Sequence, residues 1–214
     1  GIMAGMENTA PKPEWIEGMN RMDMNIVPSK FVKDIFEKVV YEKMNDKKQK
    51  VAEVRIVKPV EVLFEGVDTD IYKLTKEFST DLIGELDKIK EKWCFLYVGH
   101  WLQGELGQDR KDTGMLIKTF LETFKDKKQQ PALILKTSSA TFSVIDRNEI
   151  LEKVNVIKDS VDANKLPSIY ILHGDLEDEE MNGLYNHPKV KAHITFTHGE
   201  GFGRPLLEAT LSEK

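Results

Sequence analysis

Along this chain, short extended runs of apolar residues alternate with stretches in which apolar residues recur at helical spacing. The run 25–27 ends at Pro28-Ser29. Ser29 is a good N-cap, and Phe31, Val32, Ile35, Phe36, Val39 and Val40 follow on one helical face. The lysine-rich stretch 46–50 has no periodicity and reads as a solvated loop. Residues 60–64 read as a strand with a turn at 66–70, and 82–92 as a helix whose apolar positions are sparse. From Trp93 the pattern becomes regular. Strands at 93–98, 132–135, 169–172 and 190–196 are separated by three helices. The first is marked by Met115, Leu116, Phe120 and Phe124, the second by Ile150, Leu151, Val154 and Ile157 within 147–158, and the third covers 176–185. A last helix follows the loop His198-Gly199-Glu200-Gly201-Phe202-Gly203.

Strands that alternate with helices imply right-handed crossovers and a parallel sheet covered on both faces, an α/β architecture. In such sheets ligands bind beyond the carboxyl ends of the strands, near a switch in strand order. Four segments follow strands and are therefore candidates to line one crevice: 99–112, 136–140, 173–174 and 197–203.

Composition narrows the function classes. A chain of 214 residues, 40% hydrophobic, can bury one sizeable core. Its net charge of −5 argues against a duplex nucleic-acid binder, which needs a basic face over the phosphates. Cys94, the single cysteine, cannot form an internal disulfide and reads as a buried, inert thiol. No apolar run approaches the roughly 20 residues that span a bilayer, and no signal-peptide pattern is visible, so a cytoplasmic protein is expected. Residues 1–22 read as a lead-in with a remnant of a preceding domain, and 23–214 as the ligand-binding domain. The last helix has no Gly or Pro stop, so that domain is expected to be cut short at its carboxyl end.

The strongest chemical signal lies near the end. Gly199, Gly201 and Gly203 let backbone approach a ligand closely. A helix that starts near Gly203, with Pro205 in its first turn, would aim N–H groups and a positive dipole end at that ligand, which suits a phosphate. Glu200 lies in the loop and Glu208 more than a turn into the helix. The two carboxylates can stand on the order of 10 Å apart and grip hydroxyls at opposite ends of a diphosphate ligand. Alternatively, this is a Gly-rich turn with two solvated glutamates. A dinucleotide loop is disfavoured because the GxGxxG spacing is absent.

The residues between the glutamates add to this reading. Glu200-Gly201-Phe202-Gly203-Arg204-Pro205-Leu206-Leu207-Glu208-Ala209 strongly resembles the donor-binding motif of retaining GT-B glycosyltransferases, similar to the glycosyl transferases of group 1, family four. Ile26-Val27-Pro28-Ser29-Lys30-Phe31, Phe64-Glu65-Gly66-Val67-Asp68-Thr69, and Val98-Gly99 with Arg110-Lys111 resemble further segments of the same family in the same order.

The resemblance implies a Rossmann-like parallel α/β domain, the C-terminal donor-binding half of a GT-B fold. It also implies transfer of a sugar from a nucleotide diphosphate sugar to an acceptor hydroxyl with retention. Glu200 would contact the donor sugar near the reacting end, and backbone amides of Gly201, Phe202 and Gly203 would hold sugar and phosphate. Glu208 would accept from ribose hydroxyls. Lys111 would neutralise the diphosphate as the sugar leaves, which helps only if it acts more strongly in the transition state.

His100 stands where the family usually has an arginine, for which Arg110 can substitute. Lys136, where a glycine is common, is either a phosphate ligand or a surface lysine, and Ser138 and Ser139 are potential donors in the same crevice. The loop 101–109 is longer than usual. No cofactor or catalytic metal is implied; His173, His193 and His198 lack ligand spacing. The acceptor-binding half normally precedes such a segment, so this chain alone is expected to bind a nucleotide and to transfer little sugar. The acceptor stays open between glycan, lipid and small molecule. Rival readings are a non-catalytic binding or scaffold module and a Rossmann oxidoreductase.

Overall fold

The computed structural model describes residues 1–4, 10–101, 106–139 and 141–214. They form two compact units: Gly1–Gly66 with Gly199–Gly203, and Val67–His198 with Arg204–Lys214.

The first unit contains helix α1 (Pro13–Met19), strand β1 (Asn25–Val27), helix α2 (Lys30–Lys38), strands β2 (Tyr41–Met44) and β3 (Lys50–Val54), and strand β4 (Val60–Val62). Pro13 opens α1, where its missing N–H costs nothing. Ser29 caps α2, its Oγ accepting from the Val32 N–H at 3.2 Å. β1 and β4 pair in parallel. Ile16, Met19, Val27, Val32, Phe36 and Val60 form the buried core of this unit.

The first compact unit runs unbroken from Gly1 to Gly66, with Ile16 and Met19 on α1 in its core and the Asn25 amide donating to the Met19 carbonyl at 3.1 Å. The stretch 46–50 is the turn of a β2–β3 hairpin, with its last residue already in β3. Asn45 organises it: its Oδ1 accepts from the N–H groups of Lys47 and Gln49 at 2.9 and 3.0 Å.

The second unit contains α3 (Thr80–Asp87), β5 (Cys94–Val98), α4 (Thr113–Phe124), β6 (Ala132–Lys136), α5 (Val144–Asp159), β7 (Ile169–Leu172), α6 (Asp178–Asn186), β8 (Val190–His193) and α7 (Arg204–Leu211). Its four strands form one sheet in the order β7-β6-β5-β8, all parallel. Alternation along the strands divides the core in two. Cys94, Leu96, Ala132, Ile134 and Val190 face one side, with Leu82 and Leu86 of α3 and Leu184 and Tyr185 of α6. Tyr97, Leu133 and Leu135 face the other, with Leu116, Ile117 and Leu121 of α4 and Ile150 and Val154 of α5. Burial on both faces is what the near-continuous apolar strands require.

Candidate functional site

From β5 the chain moves outward to β6 and β7, then returns to place β8 on the other side of β5. The strand order therefore reverses between β5 and β8, where a doubly wound sheet opens a crevice at its carboxyl edge. Gly99 sits at the end of β5, and its N–H donates to the Lys136 carbonyl at 3.1 Å. A Cβ here would stand 2.8 Å from the Tyr97 phenol oxygen, so any side chain at this position would have to displace that phenol. That phenol is hydrogen-bonded at 2.8 Å to the hydroxyl of Thr113, the first residue of α4.

The segment before α4 is buried and polar. Asp109 is 3% exposed, Lys111 and Asp112 8%, and Thr113 0%. Asp109 holds the start of the helix, accepting from the Lys111 and Thr113 N–H groups at 3.4 and 3.5 Å and from the Thr113 hydroxyl at 3.4 Å. Asp112 adopts a left-handed backbone conformation with φ 49°. Its Oδ2 lies 3.3 Å from His198 Nε2, while its Oδ1 is buried with no hydrogen-bond partner among the described residues. The Arg110 carbonyl accepts from the His198 N–H at 2.9 Å and from the Thr197 hydroxyl at 3.5 Å. The chain beyond β8 is thus tied to the chain before α4 across the switch point.

The loops after β6 and β7 extend this edge. His100 Nδ1 and Ser138 Oγ are 3.0 Å apart, and the Trp101 N–H donates to the Ser138 carbonyl at 2.8 Å. Asp146, on α5, accepts from the Ser139 N–H at 3.1 Å and lies 2.9 Å from His173 Nε2. Lys136 turns along the edge: its ammonium donates to the Gly174 carbonyl at 2.5 Å and lies 5.2 Å from the Phe142 ring centre. Burial lowers its pKa from the ordinary lysine value. The hydroxyls of Thr137 and Ser139 are buried without hydrogen-bond partners among the described residues. Of the long loop 101–109, residues 102–105 lie outside the described residues, as does Ala140.

Gly99, His100, Arg110, Lys111, Lys136, Ser138 and Ser139 are therefore collected on one edge of one sheet. The glutamates are placed differently. Glu208, on α7 in the same unit, is 4% exposed. Its Oε2 accepts from the Tyr185 hydroxyl at 3.0 Å and its Oε1 from Arg204 Nε at 2.5 Å. Arg204 also donates to Asp178 at 3.0 Å, and the Tyr72 hydroxyl donates to the same Asp178 oxygen at 2.8 Å. Burial, the charge of Glu208 and its hydrogen bond push the Tyr185 pKa far up, so Tyr185 is a fixed donor. Gly199, Glu200, Gly201, Phe202 and Gly203 belong to the first unit, where Phe202 packs edge-on against Phe64 with ring centres 5.0 Å apart. Gly203 has φ 82°, a conformation that favours glycine.

No family model and no curated protein matches the sequence. Solved structures do match. One, from E. coli, is described as trehalose-6-phosphate bound with UDP-2-fluoro glucose; the identity is 11%, the TM-score 0.57, and the match covers 95% of this chain and 49% of that one. Anabaena HepE in complex with UDP and glucose matches at 12% identity and TM-score 0.55, over 98% of this chain and 50% of that one. The N-terminal domain of Candida albicans trehalose-6-phosphate phosphatase matches at 17% identity and TM-score 0.57, over 95% and 47%. The fold these matches share with the chain is the Rossmann-like α/β half of a GT-B fold.

The chain spans about half the length of these neighbours. Within the GT-B fold, sequence reading alone missed Tyr97, Asp109, Asp112, Thr113 and Asp146. Two signals for them were present: Asp109 and Thr113 are four apart at a helix start, and Ser143 precedes Asp146 by three, the spacing of an N-cap pair realised here at 3.2 Å. Among the described residues no group of three or more His, Cys, Asp or Glu is arranged to hold a metal. Among the described residues no helix is long and apolar enough to cross a membrane.

Proposed function

We propose that the carboxyl edge of the four-stranded sheet receives the diphosphate of a nucleotide sugar, and that the protein to which this chain contributes is a retaining glycosyltransferase. One observation carries the reading. At the strand-order switch, Gly99 leaves room that a side chain could take only by displacing the Tyr97 phenol, and it stands near the start of α4, where Lys111 is held 8% exposed. A helix amino terminus and a lysine side chain are both electropositive, and a diphosphate is the ligand they suit. Asp109 and Asp112 offset Arg110 and Lys111 in formal charge, so affinity comes from placement more than from net charge.

On this reading Lys111, helped by Arg110, stabilises the negative charge that accumulates on the leaving diphosphate. His100 and Lys136, near the ends of β5 and β6, are secondary ligands. The motif alone assigns Glu200 to the donor sugar, with Gly199, Gly201, Phe202 and Gly203 supplying close backbone. Glu208 holds the ribose hydroxyls through lone pairs that Tyr185 and Arg204 leave over, since each carboxylate oxygen accepts more than one bond. The chain by itself binds the donor and transfers little sugar, the acceptor residing elsewhere. The E. coli and Anabaena structures are complexes with UDP ligands, which makes a uridine nucleotide the first to try.

A second reading, a nucleotide-binding module without transfer activity, is favoured by the engagement of both Glu208 oxygens within the protein. A thermal-shift panel of nucleotide sugars on wild type and Glu208→Gln separates the two. Donor binding through Glu208 predicts a melting temperature raised by one nucleotide sugar and a smaller rise in the variant. An equal rise in both assigns Glu208 to structure alone, and no rise with any nucleotide sugar refutes both readings.

A further inference from the structure

The amino edge of the same sheet takes no part in that reading and has a chemistry of its own. All four strands are parallel, so every segment that leads into them emerges on this edge. These segments, 87–93, 124–131, 159–168 and 187–191, contain nine lysines and five acidic residues, a balance of +4 on a chain whose net charge is −5.

Several of the acids are occupied. Glu91 accepts from the hydroxyls of Ser168 and Tyr170 at 2.5 and 2.9 Å, and Asp126 from the Lys165 N–H at 2.8 Å. Some lysines are tied down too: Lys125 to Glu122 at 2.6 Å, and Lys189 to the carbonyls of Leu86 and Ile89 at 2.9 and 2.7 Å. Lys90, Lys92, Lys127, Lys128, Lys165 and Lys191 stand exposed, and their ammonium groups have no ion-pair partner among the described residues.

An apolar groove opens among these cations. It encloses about 600 Å³ and is lined by Trp93, Phe95, Phe124 and Pro131, with Lys92 and Gln129 on its rim. Trp93 is 54% exposed, although it directly precedes a buried strand. Behind it Phe95, Phe120 and Phe124 form a ring cluster with centres 5.2 to 6.2 Å apart. A half-exposed indole over an apolar groove, surrounded by unpaired ammonium groups, has the composition of an interfacial anchor. The ring settles at headgroup depth and the lysines reach lipid phosphates. A soluble polyanion would use the lysines and leave the groove empty.

We propose that the amino edge docks on the surface of an anionic bilayer, with Trp93 at headgroup depth and Lys92, Lys127 and Lys128 against lipid phosphates. The strands then run away from the membrane and leave their carboxyl edge open to a water-soluble ligand. This site is independent of the nucleotide-sugar reading.

Co-sedimentation of the 214-residue chain with vesicles tests it. The chain sediments with phosphatidylcholine–phosphatidylserine vesicles and not with phosphatidylcholine alone, and about 1 M salt releases it. Each lysine removed weakens binding about fivefold, so Lys127→Gln with Lys128→Gln costs roughly 25-fold. Trp93→Ala weakens binding on the order of tenfold. In wild type, vesicle binding shifts tryptophan emission to the blue, and the Trp93 variant lacks the shift. The proposal is overturned by no sedimentation with the mixed vesicles, by equal sedimentation with neutral ones, or by a lysine pair variant that binds like wild type. It is also overturned if Trp93→Ala retains full binding to the mixed vesicles, which assigns the lysines to soluble polyanions.

Discussion

The two edges of the four-stranded sheet are made by the same strands and have opposite characters. At the carboxyl edge, polar side chains are buried and interlocked: Tyr97 with Thr113, Asp109 with the start of α4, Asp146 with His173 and Ser139. At the amino edge, lysines project into water around an exposed tryptophan. Buried polar groups cost free energy when unpaired, so these bonds hold the side chains they join in place before any ligand arrives, while Asp112 Oδ1 and the Thr137 and Ser139 hydroxyls stay unpaired among the described residues. Exposed lysines contribute little to the fold and leave the amino edge free to change its charge. The fold separates a preorganised side from one that evolution can retune without touching the core.

Substitutions test this division, beginning with the most damaging. Leu133 lies at the centre of the sheet and is 0% exposed, so Leu133→Ala should cost about 2–5 kcal/mol and weaken both edges together, as read by urea unfolding. Asp146→Ala should act on the carboxyl edge alone. It leaves a buried His173 and the Ser139 N–H without their acceptor, at a cost of roughly 3 kcal/mol. A loss near zero would mean that the edge is not interlocked. Lys128→Gln, on the amino edge, should leave stability within about 0.5 kcal/mol of wild type and nucleotide binding unchanged. Cys94 offers a probe of the sheet between the edges. Burial and the nearby Glu91 charge push its thiol up to about 11, so it should resist alkylation near pH 8 until the chain unfolds.

Much of the second unit was legible in the sequence because its strands are buried on both faces. Unbroken apolar runs such as 132–135 have no other reading when helices flank them, and the crevice segments followed from the carboxyl ends of those strands. The β2–β3 hairpin was not legible. Nearly all its side chains are exposed, so no buried alternation marks it. The helix α1 was passed over for a related reason: in seven residues only Ile16 and Met19 are buried, too few to set a period. At the site, glycines and lysines announced themselves by type. The partners that occupy Glu208 did not, since Tyr185 lies 23 residues away and only the packing of α6 against α7 joins them. Asp112 gave no sign either, because a left-handed non-glycine residue shows only in the backbone.

The proposed transfer chemistry requires the carboxyl edge to be a diphosphate site. Calorimetric titration of UDP-glucose into wild type and Lys111→Ala tests it most directly. Wild type should bind with a dissociation constant below about 1 mM, and the variant at least roughly tenfold more weakly, as expected for a lost charge-assisted contact. Equal affinities in folded wild type and variant, or no heat from wild type at millimolar ligand, would contradict it.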